Sequence, residues 1–242
     1  MKATLIVLLI PILILGYATA ARISVGPEDE DYPQIQQALD NSSEGDIIEV
    51  HSGTYKENVN IFKKVELLGV DTGEGMPLVD AGGSGSVINI LSNDSIVEGF
   101  NITGSGHCSC GNAGVLVDSS NNSIKGNTIH NNKYGIYVRS GNSNNTFVSN
   151  DLLDNNITVS DEGNSTWDVS VELTGMQALV GLFTGKAEQN FGNHYSDYDE
   201  PAEGCEDADG NGLCDKPREI GDGKSRDSYA SVAPLNRLSK GK

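Results

Sequence analysis

The sequence is poor in basic residues, since 16 lysines and arginines stand against 34 aspartates and glutamates, giving a formal net charge of -18. A surface this acidic repels phosphate backbones and anionic lipid headgroups, which argues against nucleic acid and anionic membranes as partners. Divalent cations, a salty medium and simple solubility are all compatible with the charge, which does not choose among them.

Long apolar runs are also scarce. The apolar run at residues 5–15 follows Lys2 and precedes Ala18, Thr19 and Ala20. A basic start, a short apolar stretch and a small-x-small site predict a secretory signal peptide over residues 1–20. An uncleaved anchor is the alternative, but the run falls short of the roughly 20 residues of a membrane span. The sequence therefore predicts a secreted or cell-surface protein with no transmembrane span in the mature chain.

Cysteine is limited to four residues, Cys108, Cys110, Cys205 and Cys214. An even number suits an oxidising compartment outside the cytoplasm. Cys205 and Cys214 bracket an acidic loop, and we expect a disulfide between them. Cys108 and Cys110 form a C-x-C pair, for which a bridge, free thiols and contacts between neighbouring repeats all remain open.

Aromatic residues make up 6% of the chain, whereas asparagine is abundant. Seven N-x-[ST] sequons follow from this abundance, and in an exported protein several of them are candidates for glycosylation. The seven sequon asparagines are Asn41, Asn93, Asn101, Asn121, Asn144, Asn156 and Asn164.

The asparagine-rich part repeats itself, because residues 114–129 recur as residues 135–152. The matching pairs are Gly114 with Gly135, Val115 with Ile136, Val117 with Val138, Ile124 with Phe147, Asn127 with Asn150 and Ile129 with Leu152. A weaker earlier copy places Gly99 and Ile102 against Gly126 and Ile129. Repetition at a period of about 20 residues is typical of a stacked solenoid.

Each repeat carries runs of two to four alternating residues, too short for helices and suited to strands that bury one face. Stacking coils about 4.8 Å apart would bury the inward side chains that a single coil exposes. We predict Ile124, Ile129, Ile136 and Val138 as inward residues. Asparagine tolerates the left-handed corners between strands, and Asn127 should pair with Asn150 along the stack.

The N-terminal part predicts a cap for the open end of this solenoid. Residues 32–40 place Ile35, Ala38 and Leu39 on one face of a helix, with Pro33 in its first turn. Strand-like runs follow around residues 48, 59 and 65. A helix followed by strands would cover hydrophobic core and unpaired edges.

The whole mature chain resembles a known family. The stretch IQQALDNSSEGDIIEVHSGTYKENVNIFKKVELLGV is similar to the N-terminal cap and first coil of right-handed parallel β-helix proteins of the pectin-lyase-like class. The units GVLVDSSNNSIKGNTIHNNKYGIYV and NNTFVSNDLLDNN resemble NosD-type β-helix repeats. STWDVS, FGNHYSDYDEP, DADGNGLCD and DSYASVAPL resemble the C-terminal module of surface-exposed, commonly archaeal members.

The resemblance implies an all-β, right-handed parallel β-helix with a capping helix before it and a loop-rich module after it. We expect the signal peptide at 1–20, the β-helix with its cap at 21–195 and the C-terminal module at 196–242. Fold alone does not fix chemistry, so function has to be argued from sites.

The stretch DADGNGLCD has the spacing of a calcium loop. Oxygen ligands at its alternate positions, with a backbone carbonyl at the seventh, match the start of such a loop. The candidate ligands are Asp207, Asp209, Asn211, the carbonyl of Leu213 and Asp215. The twelfth position holds Arg218 instead of glutamate, so Glu219 or Asp199 would have to complete the site. The alternative is a solvated acidic turn.

His107, Cys108 and Cys110 form a soft donor set that suits copper(I) or zinc. The resemblance to NosD, a periplasmic factor in copper-site maturation, suggests copper. One C-x-C supplies few ligands, however, and an oxidising compartment favours a disulfide. We expect the remaining histidines, His51, His130 and His194, on exposed turns.

An enzyme of this class would be a polysaccharide lyase or a glycoside hydrolase. Asp118 and Arg139 should lie on adjacent coils, the right chemistry for an acid–base pair, but such pairs are usually surface contacts. The Asp-Asp and Gly-His-Gly signatures of polygalacturonases and the arginine-rich motifs of pectate lyases are absent. The sequence therefore favours a protein without catalysis.

Five aromatic residues gather in the C-terminal third, namely Trp167, Phe191, Tyr195, Tyr198 and Tyr229. Packing of the cap against the last coil is favoured over a sugar-stacking platform. The sequence thus predicts a secreted, non-catalytic cell-surface β-helix protein that binds carbohydrate or contributes to the envelope. A polysaccharide-cleaving enzyme and a NosD-like copper-handling protein are the alternatives.

Overall fold

The computed structural model describes residues 20–27, 30–108, 110–172, 188–221 and 223–235. The predicted signal peptide therefore lies outside the described residues, apart from its last position. Within these ranges no helix has both the length and the apolarity needed to cross a membrane.

Three parallel sheets make up the body of the molecule, and successive coils add one strand at a time to each sheet. The strands are numbered along the chain. The first sheet contains β1 (Arg22–Val25), β2 (Ile47–His51), β5 (Glu66–Val70), β8 (Ile96–Glu98), β11 (Ser123–Lys125), β14 (Ser143–Val148) and β17 (Asn164–Thr166). The second contains β3 (Thr54–Tyr55), β6 (Leu78–Asp80), β9 (Asn101–Thr103), β12 (Thr128–His130), β15 (Asp151–Leu153) and β20 (His194–Tyr195). The third contains β4 (Val59–Ile61), β7 (Ile88–Ile90), β10 (Ala113–Val117), β13 (Tyr134–Val138) and β16 (Ile157–Asp161).

Pairing across these sheets is parallel throughout, so the fold is a parallel β-helix. The register confirms the repeat alignment, since Val115 lies opposite Ile136, Ile124 opposite Phe147 and Ile129 opposite Leu152. The weaker copy is confirmed too, because Ile102 pairs with Ile129.

The core consists of columns of inward side chains that stack from coil to coil. Strands of three residues bury only their middle side chain, as the intermediate–buried–intermediate pattern of β11 and β12 shows. The fully buried inward residues include Ile48, Leu67, Val97, Ile124, Phe147, Ile102, Ile129, Leu152, Val117, Ile136 and Val138. All four side chains predicted to point inward are therefore in the core.

Three ladders of asparagines, all buried except the half-buried Asn155, turn the corners between strands. In each rung the amide oxygen of one asparagine accepts bonds from the backbone N–H and Nδ2 of the asparagine one coil earlier. The predicted rung from Asn127 to Asn150 is present at 3.1 Å, and Asn150 continues to Asn193. The two other ladders join Asn122 to Asn145 and Asn132 to Asn155.

The ladder asparagines differ from those in the left-handed conformation. Asn121, Asn131 and Asn144 have φ between 54° and 62°, whereas the corner of Asn127 gets its left-handed residue from Gly126, at φ 64°. The left-handed corner and the buried amide are therefore provided by adjacent residues.

The predicted helix α1 (Ile35–Asn41) covers the first coil, with Ile35, Ala38 and Leu39 buried. No side chain of the helix caps its N-terminus; instead Glu57 accepts bonds from the N–H groups of Ile35 and Gln36 at 3.0 and 2.9 Å. This carboxylate satisfies two of the free amides at the helix start and ties the cap to the coil below.

Two antiparallel pairs and a short 3-10 turn follow the last coils. β18 (Val169–Glu172) pairs with β19 (Glu188–Phe191), and β21 (Arg218–Ile220) pairs with β22 (Ser225–Asp227). The 3-10 turn spans Pro201–Glu203. The β21–β22 pair lies against β16 and β17 and so covers this end of the coil stack.

Candidate functional sites

The acidic loop of the C-terminal module brings three of its predicted ligands together. Carboxylate oxygens of Asp207, Asp209 and Asp215 all lie within 4.8 Å of one another. The loop is held by its own backbone, because Asp207 accepts bonds from the N–H groups of Asn211 and Gly212 at 2.9 and 3.0 Å. Like charges this close repel one another unless a cation lies among them.

The two residues proposed to complete this loop do not belong to the aspartate cluster. Asp199 contacts Nε2 of His194 at 3.2 Å, and Glu219 lies in β21 opposite Arg226. Asn211 donates through Nδ2 to Asp209, while its Oδ1 accepts the N–H of Leu213. The side-chain cluster at the loop is therefore the three aspartates.

A disulfide closes the acidic loop, and an arginine next to it contacts the last coil. Cys205 and Cys214 are bonded, as predicted, and both are buried. Arg218 donates two bonds to Asp197 at 2.7 and 3.0 Å and lies 4.3 Å above the ring of Tyr195. Burial alone would raise the pKa of Asp197, but the bonds from Arg218 and Thr158 outweigh it and hold the pKa below its ordinary value.

Cys108 and Cys110 are joined in a disulfide, which decides between the three possibilities that the sequence left open. The prediction of exposed turns for the other histidines is wrong. His51 and His130 lie half-buried in β2 and β12, and His194 is buried in β20. Strand pairing fixes these positions, and burial lowers the pKa of His130, against the opposing charge of Asp154.

The outward face of the third sheet carries the predicted acid–base pair. Arg139 donates to Asp118 from the next coil at 3.0 Å, and Asn142 donates to the other carboxylate oxygen at 3.3 Å. Both charges are partly exposed, with side-chain exposures of 46% and 37%. An aspartate already bound by two donors is a poor general base, so the pair suits a surface role.

Two tyrosines that were not predicted as site residues lie on the same face. Tyr134 and Tyr137 in β13 stack with ring centroids 5.3 Å apart. The hydroxyl of Tyr137 donates to Glu162 at 2.9 Å, and the adjacent β16 adds the exposed side chain of Ile157. Both rings are half-buried. No sequence pattern marks this pair, and Gly135 between them packs against the carbonyl of Thr158 and the side-chain amide of Asn155, not against either ring.

Two of the five C-terminal aromatic residues, Trp167 and Tyr195, pack inside the molecule, whereas Phe191, Tyr198 and Tyr229 are half-buried. Trp167 stacks on Phe147 at a centroid distance of 4.2 Å, and its Nε1 donates to buried Asp161 at 3.0 Å. Tyr195 is fully buried and donates its hydroxyl to Asp227 at 3.0 Å. These two aromatic side chains end two inward columns and offer no surface to a sugar.

Asp227 is the buried end of the longest asparagine ladder and was also missed. One of its carboxylate oxygens accepts bonds from the N–H of Asn193 at 2.7 Å, from Nδ2 of Asn193 at 3.1 Å and from Tyr195. The other accepts the N–H of Tyr229 at 3.0 Å. Burial raises the pKa of Asp227 to about 6 against these bonds, which act to lower it.

The sequons lie at the surface in most cases. Asn41, Asn93, Asn121, Asn144, Asn156 and Asn164 are exposed, and Asn101 is half-buried. A shallow cleft beside the first sheet has mainly apolar walls, including Val148, Val169 and Phe191. Its rim carries Glu98 and Lys125, which form an ion pair at 3.0 Å.

Comparison with known proteins places these features in a family. The family model described as "Periplasmic copper-binding protein (NosD)" matches residues 78–200, just over half of the chain. A cell surface glycoprotein of Methanothermus fervidus is 33% identical over 131 residues, covering 53% of this chain and 20% of that protein. The chain thus spans about a fifth of the length of this curated relative.

A solved structure, the pectin methylesterase from Aspergillus niger, also aligns with the chain. The alignment covers 75% of this chain and 66% of that one, with 14% identity and a TM-score of 0.38.

Copper, which the family description names, does not fit the donor atoms present in the described residues. Both sulfurs of the C-x-C pair are consumed by their disulfide, and no other cysteine is free. His51 pairs with Glu30 and His194 with Asp199, on different sheets. The side-chain cluster with metal-ligand spacing is the aspartate loop, whose hard oxygens favour calcium over copper(I).

Proposed function

Because the chain belongs to the family of the periplasmic copper-binding protein NosD, we propose that it is a non-catalytic β-helix protein of the cell surface that binds envelope carbohydrate. The name of its relative, a cell surface glycoprotein, supports the location. The predicted signal peptide and the two disulfides agree with export.

The tyrosine face of the third sheet is the proposed binding surface, and it carries the proposal. Sugar rings stack on aromatic faces through their C–H groups, while neighbouring polar side chains bond their hydroxyls. Tyr134 and Tyr137 offer the stacking surface, and Glu162, Asp118 and Arg139 lie around it as hydrogen-bonding groups. All five side chains come from coils that the parallel pairing of β10, β13 and β16 holds in register.

Charge selects the kind of polymer. A formal charge of -18 opposes polyanions, so uronic-acid polysaccharides are poor ligands at low ionic strength. The proposed ligand class is an uncharged polysaccharide of the envelope.

Co-sedimentation with insoluble, uncharged envelope polysaccharide tests the proposal. Tyr137→Ala should weaken binding roughly 2- to 12-fold, since an aromatic stacking contact contributes about 0.5–1.5 kcal/mol. Tyr137→Phe, which removes only the bond to Glu162, should have a smaller effect. Phe62→Ala is the matched control, because this exposed aromatic directly follows β4, which lies three strands away from the tyrosine face on β13.

Unchanged binding by Tyr137→Ala, or an equal loss in Phe62→Ala, would contradict the proposed site. New unsaturated or reducing ends released from any polysaccharide by the purified protein would contradict the absence of catalysis and favour the enzyme alternative.

We also propose that the aspartate loop binds calcium in a structural role. Asp207, Asp209 and Asp215 supply a compact set of hard oxygen donors, and the disulfide beside them keeps the loop closed. The ion would tie the C-terminal module to the last coil without taking part in sugar binding.

A further inference from the structure

Four of the seven sequons lie at one corner of the β-helix, on successive coils. This corner connects the third sheet to the first. Asn121 and Asn144 have the same left-handed conformation there, with φ of 62° and 58°, and Nδ2 of Asn144 donates to Oδ1 of Asn121 at 3.2 Å. Asn164 pairs with Ser143 one coil further on, and Asn93 accepts the N–H of Ser120 one coil earlier.

The hydroxyl residues of three of these sequons are also in register. Ser123 lies opposite Thr146 and Thr146 opposite Thr166, along the outward face of β11, β14 and β17. Ser123 and Thr146 are half-buried and Thr166 is exposed. In contrast, Ser95 of the Asn93 sequon is buried and donates to the carbonyl of Lys63. Three sequons at this corner thus present both the asparagine and its hydroxyl partner to solvent.

We propose that this corner is an N-glycosylated edge, with sugar chains on Asn164 and on either Asn121 or Asn144, but never on both of the latter in one molecule. The proposal rests on the proposed export of the protein. In the reaction the Nδ2 amide nitrogen forms a bond to the anomeric carbon of a lipid-linked oligosaccharide. The lipid pyrophosphate leaves, and the displaced amide proton goes to solvent.

The exclusion follows from the direct contact between the amides of Asn121 and Asn144, whereas Asn164 lies opposite Ser143 and not opposite Asn144. Neighbouring strands lie about 4.8 Å apart, and the two side-chain amides already contact each other. Two sugar chains attached to these two contacting amides would occupy the same space. A single sugar chain, on either Asn121 or Asn144, still covers this edge and still allows the two amides to contact each other.

Substituting the hydroxyl residue tests this without changing the corner, because replacing the asparagines would also strain the left-handed backbone. Thr146→Val and Ser123→Ala each abolish one sequon and keep its asparagine. Intact-mass spectrometry of the protein from cells that N-glycosylate their surface proteins counts the chains per molecule, and glycopeptide analysis locates them.

The wild type should show no molecule with both Asn121 and Asn144 modified. In Thr146→Val the occupancy of Asn121 should rise by the amount lost from Asn144, and Ser123→Ala should show the reverse. Thr166→Val, the control, should remove the chain on Asn164 and leave the division between Asn121 and Asn144 unchanged.

Molecules modified at both positions, or loss at Asn144 without a gain at Asn121, would overturn the exclusion. Asn41, exposed on α1 with its hydroxyl partner Ser43 also exposed, serves as the outside reference. If Asn41 carried sugar while the corner sequons carried none, the proposed glycosylated edge would be wrong and the proposed export would still hold. Absence of sugar from every sequon would overturn the edge as well, and protease shaving of intact cells would then decide separately whether the protein reaches the surface.

Discussion

Asp227 shows why the longest asparagine ladder ends where it does. An asparagine side chain both accepts and donates hydrogen bonds. Each asparagine of the ladder therefore requires an acceptor on the next coil for its own N–H groups. The ladder from Asn127 through Asn150 reaches Asn193 in this way. A carboxylate only accepts, and Asp227 therefore closes the series at the point where the β-helix meets its C-terminal module.

Removing this carboxylate should destabilise the protein and weaken the pH dependence of its free energy of unfolding. Asp227→Ala leaves buried donors of Asn193, Tyr195 and Tyr229 without an acceptor, for a loss of roughly 2–4 kcal/mol at neutral pH. Because burial raises the pKa of Asp227 to about 6, the folded chain binds this proton more tightly than the unfolded chain. The contribution to stability is fully present below pH of about 4 and disappears as pH rises through about 6.

Urea unfolding followed by fluorescence of Trp167, the single tryptophan, measures the effect. Between pH 7.5 and 5 the wild type should gain about 1.4 kcal/mol more than Asp227→Ala does. Asp40→Ala removes an exposed carboxylate and should keep the wild-type slope. Equal slopes in wild type and Asp227→Ala would show that Asp227 keeps an ordinary pKa.

At the scale of strands and corners, the spacing of the ladder asparagines along the sequence predicts the length of the strands and the position of the corners. Ladder asparagines recur at positions 122, 127 and 132 and again at 145, 150 and 155, all of them buried except the half-buried Asn155. Each interval of five holds a strand of about three residues and a corner. The pairing of Asn127 with Asn150 was predicted from the repeat, and the five-residue spacing predicts the other two ladders in the same way.

Calcium should stabilise the C-terminal loop as a unit. At a calcium concentration a hundred times the Kd, the melting temperature should rise by roughly 5–10 °C. Asp209→Ala should abolish most of this gain. Glu206→Gln is the matched control, since Glu206 is a neighbouring exposed carboxylate that pairs with Lys216.

The calcium site would be ruled out by a melting temperature that chelator leaves unchanged in wild type and in Asp209→Ala alike. A calcium-dependent gain of the same size in Asp209→Ala would instead place the ion elsewhere.

For the whole molecule, the sequence predicts the β-helix better than its surface. Inward residues such as Ile124 and Ile129 are recognisable because alternation and stacking are repeated locally along the chain. The tyrosine face depends on which side chains meet across coils, and Gly135 between Tyr134 and Tyr137 has no distinguishing pattern of its own. The two ends of the β-helix are predicted less well than its coils and better than its surface. The capping helix is recognisable from its periodic apolar residues, whereas the role of Asp227 becomes visible only when Asn193 is placed beneath it.

A stack of coils is open at both ends unless something covers it, and the C-terminal module covers one end here. Trp167 and Tyr195 end two inward columns with a polar atom that bonds to Asp161 and Asp227. Ser225 of β22 also donates to Asp161, at 3.2 Å. The module therefore replaces the next coil for both the apolar columns and the hydrogen bonds.

A chain ending at Ser196 should consequently self-associate, because it lacks Ser225 and Asp227 and exposes the last strands of all three sheets. Light scattering during size-exclusion chromatography should show oligomers at micromolar concentration, and Trp167 emission should shift to the red. A chain ending at Leu235 keeps every described contact of the module and should remain monomeric with the wild-type spectrum. A monomeric, cooperatively unfolding chain ending at Ser196 would show that the coils close their own end and that the module serves another purpose.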